Sequence, residues 1–376
     1  MSQNKSENPG DRAVDKMLAC DRAAYEFRRG RIVHVTDEAG AGVLAIASEM
    51  VTPQTLERLQ ALTGADPDIA ITHHRARTLK VALYTDEIVL MPFGAWRDAA
   101  TARTLGDPTQ DLANPMRGPY TAKRDSVTDA MIAAVQLAKI ARLLPTAVLV
   151  AADTADLSAL AASGIASVPA SAIMDYEMST AGTLMQVTAA RVPLEDAEDA
   201  RILAFRSPEG GREHLAIVIG EPPTDRPVLT RLHSECFTGD LIGSLKCDCG
   251  QQLREAIAQI GREGAGVLLY LRQEGRGIGL INKLRAYALQ GQGFDTVEAN
   301  ERLGFESDER VFLPAARILQ QLGYRQIRLM TNNPDKVAAL EEFGIEVIER
   351  VPHAFPSNDH NEFYLSVKKE KSGHLL

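Results

Sequence analysis

The sequence contains no run of apolar residues that approaches the length of a membrane-spanning helix. It also contains no internal repeat and no low-complexity tract. Its polar start, MSQNKSENPGDR, does not have the pattern of a signal peptide. These features predict a cytoplasmic protein without a membrane partner. We expect residues 1–13 to be a disordered start.

Positive charge is in the minority, with 41 Lys and Arg against 50 Asp and Glu and a formal net charge of −9. An acidic balance argues against general nucleic-acid binding, so no nucleic-acid partner is expected. A chain of 376 residues that is 45% hydrophobic can bury two cores. We predict an α/β protein of two domains, each a mixed sheet flanked by helices.

Cysteine is also scarce, yet three of the four cysteines stand in one short segment, RLHSECFTGDLIGSLKCDCG. Cys236, Cys247 and Cys249 form a C-x10-C-x-C pattern, whereas Cys20 lies near the start of the chain. Three protein ligands with a fourth position left to water are typical of a catalytic zinc site. A metal held in this way can activate water for attack at neutral pH.

Other interpretations of the same cysteines stay open. The thiols could be small buried apolar groups, or they could form a disulfide with one thiol to spare. They could also form a structural zinc site in which His233 is the fourth ligand.

The segment after the cysteines predicts a phosphate-binding turn. A short buried strand, 266–271, is followed by Gly275, Gly277 and Gly279 and then by a helix that carries Tyr287. A strand, a glycine-rich turn and a helix can bind phosphate through backbone N–H groups. Cations crowd this turn, which in an acidic chain favours an anionic ligand; they are Arg272, Arg276, Lys283 and Arg285.

A third segment ends in TNNPDK. We predict a helix from about Glu309 to Leu322, a strand at 327–331, and a helix that Asn333 caps with Pro334 at its first position. Ligands of α/β folds bind at the carboxyl ends of strands, where Thr331 would lie. Lys336 follows one turn into the helix, within reach of a phosphate. Alone, TNNPDK is equally consistent with an ordinary capped turn.

The ordered motifs RLHSEC, SLKCDCGQQL, LRQEGRGIGL, KLRAYALQ, DTVEAN, ESDER and TNNPDK resemble GTP cyclohydrolase II. The resemblance covers about residues 187–376. It implies hydrolysis of GTP to 2,5-diamino-6-(5-phospho-ribosylamino)pyrimidin-4(3H)-one with release of formate and pyrophosphate, the first step of riboflavin biosynthesis. It also implies one zinc ion per chain on Cys236, Cys247 and Cys249, Mg²⁺ with the GTP phosphates, and a homodimer.

The resemblance assigns roles to further residues. Tyr287 would assist ring opening, and Asp308 and Arg310 would act at the phosphate end as acid/base and nucleophile. A plain phosphate clamp is an equally physical interpretation of Arg310, because a guanidinium is nearly always protonated. The residues implied to contact GTP are Arg231, Leu232, His233, Ser234, Glu235, Gln252, Glu274, Gly275, Arg276, Thr296, Thr331 and Lys336. A carboxylate would read the guanine edge, and the candidates are Glu235, Glu274 and Glu298.

The N-terminal half, 14–180, resembles 3,4-dihydroxy-2-butanone 4-phosphate synthase in its length, in its order of elements and in VTPQTLERL. The catalytic pattern of that family is degenerate here. The acidic run after the first strand reads VTDEAGAGVLAIASE, which keeps Asp37 and Glu38 and loses the other carboxylates. Magnesium prefers oxygen ligands, and this run has lost carboxylates that would supply them. We therefore expect no synthase activity. The pair His73 and His74 is interpreted as ordinary polar residues.

Two rival functions stay open for residues 187–376. One is a divergent cyclohydrolase that serves another pathway or stops at a formamidopyrimidine. The other is a non-catalytic zinc-stabilised module that binds a nucleotide or a protein. The presence of Tyr287, Asp308 and Arg310 argues against the second, which would not need them.

Overall fold

The computed structural model describes residues 9–38, 40, 42–94, 98–115, 118–152, 160 and 162–353, with side chains from residue 13. These residues form two compact units. The first unit comprises Met1–Tyr176, Ile281–Phe294 and Glu298–Asp308, and the second comprises Glu177–Leu280, Asp295–Val297 and Glu309–Leu376. No helix in the described part of the chain combines the length and the hydropathy needed to cross a membrane.

Both units contain helices and strands. The helices are α1 (Pro9–Arg28), α2 (Pro53–Thr63), α3 (His73–Thr78), α4 (Ala99–Gly106), α5 (Asp129–Ile140), α6 (Ala170–Met174), α7 (Tyr176–Gly182), α8 (Cys249–Glu263), α9 (Leu280–Gln290), α10 (Thr296–Arg302), α11 (Leu313–Gln321) and α12 (Pro334–Glu342). The strands are β1 (Val33–Thr36), β2 (Val43–Ala47), β3 (Asp68–Thr72), β4 (Ile88–Pro92), β5 (Thr146–Ala151), β6 (Ala166–Pro169), β7 (Met185–Arg191), β8 (Ala200–Arg206), β9 (His214–Ile219), β10 (Val228–Ser234), β11 (Gly266–Leu271), β12 (Gln326–Met330) and β13 (Glu346–Val351).

The first unit is built on a six-stranded mixed sheet in the order β4-β3-β5-β2-β1-β6. Only the β1–β6 pair among these neighbours is parallel. Side chains on a strand alternate between faces, and β2 shows this directly. Val43, Ala45 and Ala47 belong to one buried cluster, and Leu44 and Ile46 belong to another. The sheet therefore has an apolar core on each face.

The second unit contains a seven-stranded mixed sheet in the order β13-β12-β10-β11-β9-β8-β7. The four strands from β13 to β11 are parallel to one another, and β9, β8 and β7 add antiparallel pairs. Two mixed sheets flanked by helices confirm the predicted fold class. The parallel strands bring the carboxyl ends of β10, β11 and β12 to one edge of the sheet, where Cys236, Glu274 and Thr331 follow them.

The structure differs from three expectations about local structure. Helix α1 begins at Pro9, within the start that we predicted to be disordered, and residues 1–8 of that start lie outside the described residues. The first unit includes residues 281–294 and 298–308, which our predicted boundaries placed in a domain at 187–376.

The third difference concerns the helix predicted from about Glu309, which begins only at Leu313. The backbone just before Leu313 forms hydrogen bonds outside any helix. The N–H of Glu309 donates to the carbonyl of Arg276 at 3.0 Å, and the Gln273 side chain donates to the carbonyl of Val311 at 2.5 Å. These bonds tie residues 309–311 to the glycine-rich turn, so they do not enter a helical ladder.

Candidate functional site

The three clustered thiols come together in the second unit. Cys236 follows strand β10, and Cys249 opens helix α8 two residues after Cys247. The Sγ atoms of the three residues lie within 4.8 Å of one another. None of the four cysteines, all of which are described, forms a disulfide, so the disulfide interpretation is wrong. Among the described residues, this is the one group of three or more His, Cys, Asp or Glu side chains arranged to hold a metal ion.

A glycine in the loop makes this close approach possible. The loop forms a π-helical turn, Phe237–Leu241. A Cβ at Gly239 would lie 2.8 Å from the Cβ of Cys249, 2.9 Å from Sγ of Cys247 and 3.1 Å from Sγ of Cys236. The Gly239 N–H instead points at Sγ of Cys236, with 3.3 Å between nitrogen and sulfur. Only glycine leaves room for all three thiols.

The thiols oppose one another's ionisation. Hydrogen bonding to Cys236 is the main cause that raises the pKa of Cys247. The pKa of Cys249 is raised well above its ordinary value, first by Cys236 and then by Cys247. Three thiols in such contact can all become thiolates only beside a strong positive charge. The set of soft sulfur donors fits a thiophilic ion such as zinc, with one coordination position left for another ligand.

His233 does not belong to the described group of side chains that could hold a metal ion. Its Nε2 atom lies 3.0 Å from Oδ1 and 3.1 Å from Oδ2 of Asp240. Its ring stacks on Tyr270, the cross-strand neighbour on β11, with 5.6 Å between ring centroids. Burial lowers the pKa of His233 despite the opposing effect of the Asp240 carboxylate, so the ring is neutral near pH 7. Because the described candidate metal group contains the three cysteines and not His233, the geometry does not support a closed site with His233 as the fourth ligand.

Asp240 is a residue that the sequence analysis missed. Its Oδ2 atom accepts hydrogen bonds from the backbone N–H of Cys236 at 2.9 Å and from the Tyr270 hydroxyl at 2.9 Å. The same carboxylate holds His233, so a single buried acid joins β10, β11 and the π-helical turn. The sequence shows only that Asp240 lies four residues after Cys236, and this spacing does not distinguish it from an ordinary aspartate in a loop.

Arg231 is the buried cation next to the thiols. Nη1 donates to the carbonyl of Met330 at 2.8 Å, and Nη2 donates to Oε1 of Gln252 at 2.6 Å. Burial is the main cause that lowers its pKa to about 10, while Asp248 and Cys249 act in the opposite direction. Arg231 thus remains charged near pH 7. The side chain of Gln252 forms hydrogen bonds with both Arg231 and Asp248, so it is not an ordinary surface residue.

Further cations converge on the end of β10. Nη1 of Arg310 donates to Oγ of Ser234 at 3.2 Å, and the Arg310 charge is close enough to lower the pKa of Arg231. Lys336 is buried, and its Nζ donates to the carbonyl of Leu232 at 3.1 Å. Burial is likewise the main cause that lowers the pKa of His353 to about 4, and Arg231 adds to the shift. His353 is therefore neutral near pH 7, whereas the buried Arg231 and Lys336 and the half-buried Arg310 form a group of cations that suits a polyanionic ligand.

The strand end and the helix cap predicted in TNNPDK are present. Thr331 is buried just after β12, and its Oγ1 accepts from the N–H of Asn333 at 3.0 Å. Asn333 caps α12 through the N–H of Asp335, with Pro334 in the first turn. The hydrogen bonds between Asn332 and His353, which the sequence analysis did not anticipate, fix this end of the sheet.

The glycine-rich turn is unusual in its backbone. Gly275, Arg276 and Gly277 have φ values of 65°, 59° and 95°, so three successive residues adopt left-handed conformations. A non-glycine residue in this region is uncommon, and strained residues of this kind cluster at functional sites. A Cβ at Gly277 would come within 2.9 Å of the Glu309 carbonyl oxygen. The turn therefore holds Arg276 in one place.

Two of the candidate guanine-reading glutamates have different surroundings. Glu274 is buried, and its carboxylate accepts from the N–H of Phe237 at 2.6 Å and from that of Gly275 at 3.0 Å. Glu235 is paired with Arg272, with 2.9 Å between Oε2 and Nε. The third candidate, Glu298, begins the last segment of the first unit.

The remaining predicted residues are divided between the units. Thr296 opens α10 in a short segment of the second unit. Tyr287 on α9 and Asp308 after α10 belong to the first unit. In that unit, Nζ of Lys283 lies 5.8 Å from the centroid of the Tyr287 ring.

Comparison with known proteins places this chain in a family. The family model described as GTP cyclohydrolase II matches residues 185–352. The GTP cyclohydrolase-2 of Azospirillum brasilense is 50% identical over 373 residues, which cover 98% of this chain and 96% of that protein. The riboflavin biosynthesis protein RibBA of Chlorobium phaeovibrioides is 35% identical, with 95% of this chain and 96% of that protein covered.

Two further similarities are narrower or weaker. RibBA of Bacillus cereus (strain ATCC 10987 / NRS 248) is 60% identical over 165 residues, which is 44% of this chain and 42% of that protein. A solved structure of RibBX, a two-domain 3,4-dihydroxy-2-butanone 4-phosphate synthase from A. baumannii, aligns at a TM-score of 0.36 with 18% identity. That alignment covers 89% of this chain and 99% of that one. From the family model and the nearly full-length relatives, the chain belongs to the GTP cyclohydrolase II family.

Proposed function

We propose that this protein is a zinc-dependent GTP cyclohydrolase II that catalyses the first step of riboflavin biosynthesis. It hydrolyses GTP to 2,5-diamino-6-(5-phospho-ribosylamino)pyrimidin-4(3H)-one, formate and pyrophosphate. The observation that carries the proposal is the meeting of three thiols and the buried Arg231 at the start of α8. A soft-metal site beside a buried cation suits a substrate with a ring to open and phosphates to bind. The names and nearly full-length identity of the relatives support the same conclusion.

The thiols of Cys236, Cys247 and Cys249 would hold the zinc ion. When bound, it would supply Lewis-acid activation of the water that attacks C8 of guanine. The chain contributes the rest through position and charge. The N–H of Gly239 donates to Sγ of Cys236, which stabilises the thiolate, and the amino end of α8 favours negative charge on Cys249.

The cations of the site would bind the triphosphate, with Mg²⁺ accompanying it. Arg231 and Lys336 are buried and Arg310 is half-buried, and all three have the charge for this role. Arg231 and Lys336 are also held by backbone carbonyls, so little freedom is lost when an anion binds. Loss of pyrophosphate requires attack at the α-phosphorus, and by family resemblance Arg310 and Asp308 act there.

A carboxylate would recognise the guanine edge, since N1–H and N2–H2 both donate. Glu235 and Glu298 compete for this role with Glu274, whose two oxygens already accept backbone N–H groups. Tyr287 would donate its hydroxyl to charge that develops during ring opening. We also propose a cytoplasmic homodimer, in line with the family resemblance.

The proposal is tested by incubating the metal-loaded protein with GTP and Mg²⁺. Products are identified by mass spectrometry, and formate and pyrophosphate are assayed. A formamidopyrimidine end product would support the divergent-cyclohydrolase alternative, and binding of GTP without turnover would support the non-catalytic one. The Cys247→Ser variant should lose zinc and ring opening together. Cys20→Ala, a change in the core of the first unit, should keep both.

The first unit should not convert ribulose 5-phosphate to the butanone phosphate. Gly42, in the run that lost its carboxylates, has φ of +91°, and a Cβ there would lie 2.1 Å from the carbonyl oxygen of Val35. No acidic side chain fits at that position without a change of the turn. Ala39 and Ala41 of the run lie outside the described residues. Formation of the butanone phosphate by the full chain with Mg²⁺ and ribulose 5-phosphate would contradict this expectation.

A further inference from the structure

Helix α9 carries Tyr287, yet it is part of the first unit from Ile281 onward. One side of the helix is buried, with Asn282, Ala286 and Leu289 exposed by only 0%, 4% and 1%. The other side presents Ile281 to solvent, at 58% exposure. The buried side fixes how the helix is rotated about its axis, and thereby the direction in which Tyr287 leaves it.

Polar contacts of two α9 residues hold this rotation. Nδ2 of Asn282 donates to the carbonyl oxygens of Arg142 at 3.3 Å and Leu143 at 3.5 Å. Its Oδ1 atom accepts from Nη1 of Arg285 at 2.7 Å. Asn282 is fully buried, and both the nitrogen and the oxygen of its amide have hydrogen-bond partners within the first unit.

Arg285 extends the same network to an acidic pair. Nη2 lies 2.8 Å from Oε1 of Glu49, Nη1 lies 3.3 Å from Oε2 of Glu49, and Nε lies 3.6 Å from Oδ2 of Asp107. The Arg285 and Glu49 side chains are each 19% exposed. A bidentate guanidinium–carboxylate pair at that burial fixes direction as well as distance.

Glu49 is itself anchored in the first unit. It stands in a short 3-10 turn, Ser48–Met50, directly after β2. Its Oε2 atom accepts from the N–H of Leu144 at 3.0 Å. Beyond the end of α9, Nε2 of Gln292 donates to the carbonyl of Thr109 at 3.0 Å. The segment 281–294 is therefore held at its start, its middle and its end.

We propose that the first unit serves the cyclohydrolase reaction by positioning the Tyr287 helix, and that Glu49 is the positioning residue through which it does so. The inference rests on the proposed function and deepens it. It gives a role to a unit whose synthase-like acidic run is lost. Glu49 acts through Arg285, with which it is paired.

The test compares Glu49→Gln, Arg285→Lys and the charge exchange Glu49→Arg with Arg285→Glu, all in the full zinc-loaded chain. Glu49→Gln keeps the size of the side chain and removes its charge, whereas Arg285→Lys keeps the charge and removes the planar guanidinium. A misplaced catalytic group typically costs up to about 10²-fold in rate. We expect kcat to fall by about 10- to 100-fold, KM for GTP to change by less than about 3-fold, and zinc content to stay the same. The charge exchange should recover part of the loss relative to Glu49→Arg alone.

Hydrogen exchange gives a readout that does not depend on turnover. Glu49→Gln should lower protection in residues 281–294 and leave α8 unchanged. The matched control is Glu26→Gln, which removes an ion pair of 3.3 Å with the exposed Arg31 in the same unit. It should change neither kcat nor exchange.

Failure of the positioning role and failure of the proposed function give different results. If the wild-type chain opens GTP and Glu49→Gln does so at the same rate, the positioning role is overturned and the proposed function stands. If the wild-type chain does not open GTP, the proposed function fails and this role in turnover fails with it. A fall in kcat with equal loss of zinc or of global stability would also overturn the positioning role.

Discussion

The carboxylate of Asp240 accepts a hydrogen bond from the backbone N–H of Cys236, with 2.9 Å between nitrogen and oxygen. A return bond runs from the Asp240 N–H to the Cys236 carbonyl at 2.7 Å. This reciprocal pair closes the π-helical turn and fixes the backbone of one of the three clustered cysteines. The same acid orients His233 and Tyr270, so the cysteine loop is attached to two strands of the sheet through one side chain.

Asp240→Asn should weaken zinc binding while the three cysteines remain. The amide has one oxygen to accept with, so either the Cys236 N–H or another donor loses its partner. Loss of a group that orients a metal ligand typically costs about 10- to 100-fold in metal affinity. Competition with a chelator measures this directly. Glu213→Gln, at an exposed pair with Arg206 of 3.7 Å, is the control and should bind zinc normally. Equal affinity in Asp240→Asn and the wild type would show that this acid does not support the metal site.

Tyr287→Phe should keep zinc and GTP binding but slow ring opening. The change removes only the hydroxyl, and loss of one positioned donor typically costs about 10²- to 10³-fold in rate. Single-turnover measurements with GTP, with zinc content determined in parallel, are the appropriate assay. Unchanged turnover would leave Tyr287 as a half-buried helix tyrosine without a role in the chemistry.

Arg310→Lys should impair pyrophosphate release more than folding. Lysine keeps the charge but loses the planar fork, including the donor to Oγ of Ser234. Pyrophosphate and formate are assayed separately, and thermal unfolding reports stability. Ser234→Ala is a useful companion, because it removes the partner and keeps the guanidinium. Normal pyrophosphate release by Arg310→Lys would rule out a special role for the guanidinium.

His214 should make the chain less stable in acid. Burial is the main cause that lowers its pKa to about 4, and Nδ1 accepts from the N–H of Arg272 at 3.3 Å, which requires that Nδ1 carry no proton. The unfolded chain, with a pKa of about 6.5, binds the proton first. The contribution of neutral His214 is therefore complete above about pH 6.5 and is lost as the pH falls toward about 4.

The size of this effect is about 3 kcal/mol at most, from the difference between the two pKa values. Denaturant unfolding at several pH values should show a shallower loss of stability for His214→Asn than for the wild type in that window. Parallel curves for the two proteins would contradict the assignment to His214.

The sequence predicted those parts of the structure that depend on short-range pattern. The apolar strand at 266–271, the glycine turn after it and the cap at Asn333 are local features, and all are present. The clustering of Cys236, Cys247 and Cys249 was expected because their spacing allows it. Neither the roles of the site residues nor the identity of the metal follow from these local features.

Other parts depend on contacts that spacing does not encode. Asp240 acquires its partners because β10 and β11 are paired in register, which sets His233 beside Tyr270. Arg285 pairs with Glu49, which lies 236 positions away in the sequence, so the pattern of residues in α9 alone could not predict this ion pair. The late start of α11 likewise depends on the bond between Glu309 and Arg276. Each of these three features depends on a hydrogen bond between residues that are distant in the sequence.

The interleaved division of the chain bears on how the protein is made. The first unit takes its last residues from a segment that ends at Asp308, after β7 to β11 of the second unit have already been synthesised. During translation the first unit therefore cannot reach its final packing as soon as Tyr176 leaves the ribosome. Domains that occupy one stretch of sequence can fold in turn from the amino end. Here both units must wait for the later part of the chain, and a gene cut near residue 177 would leave the first of them incomplete.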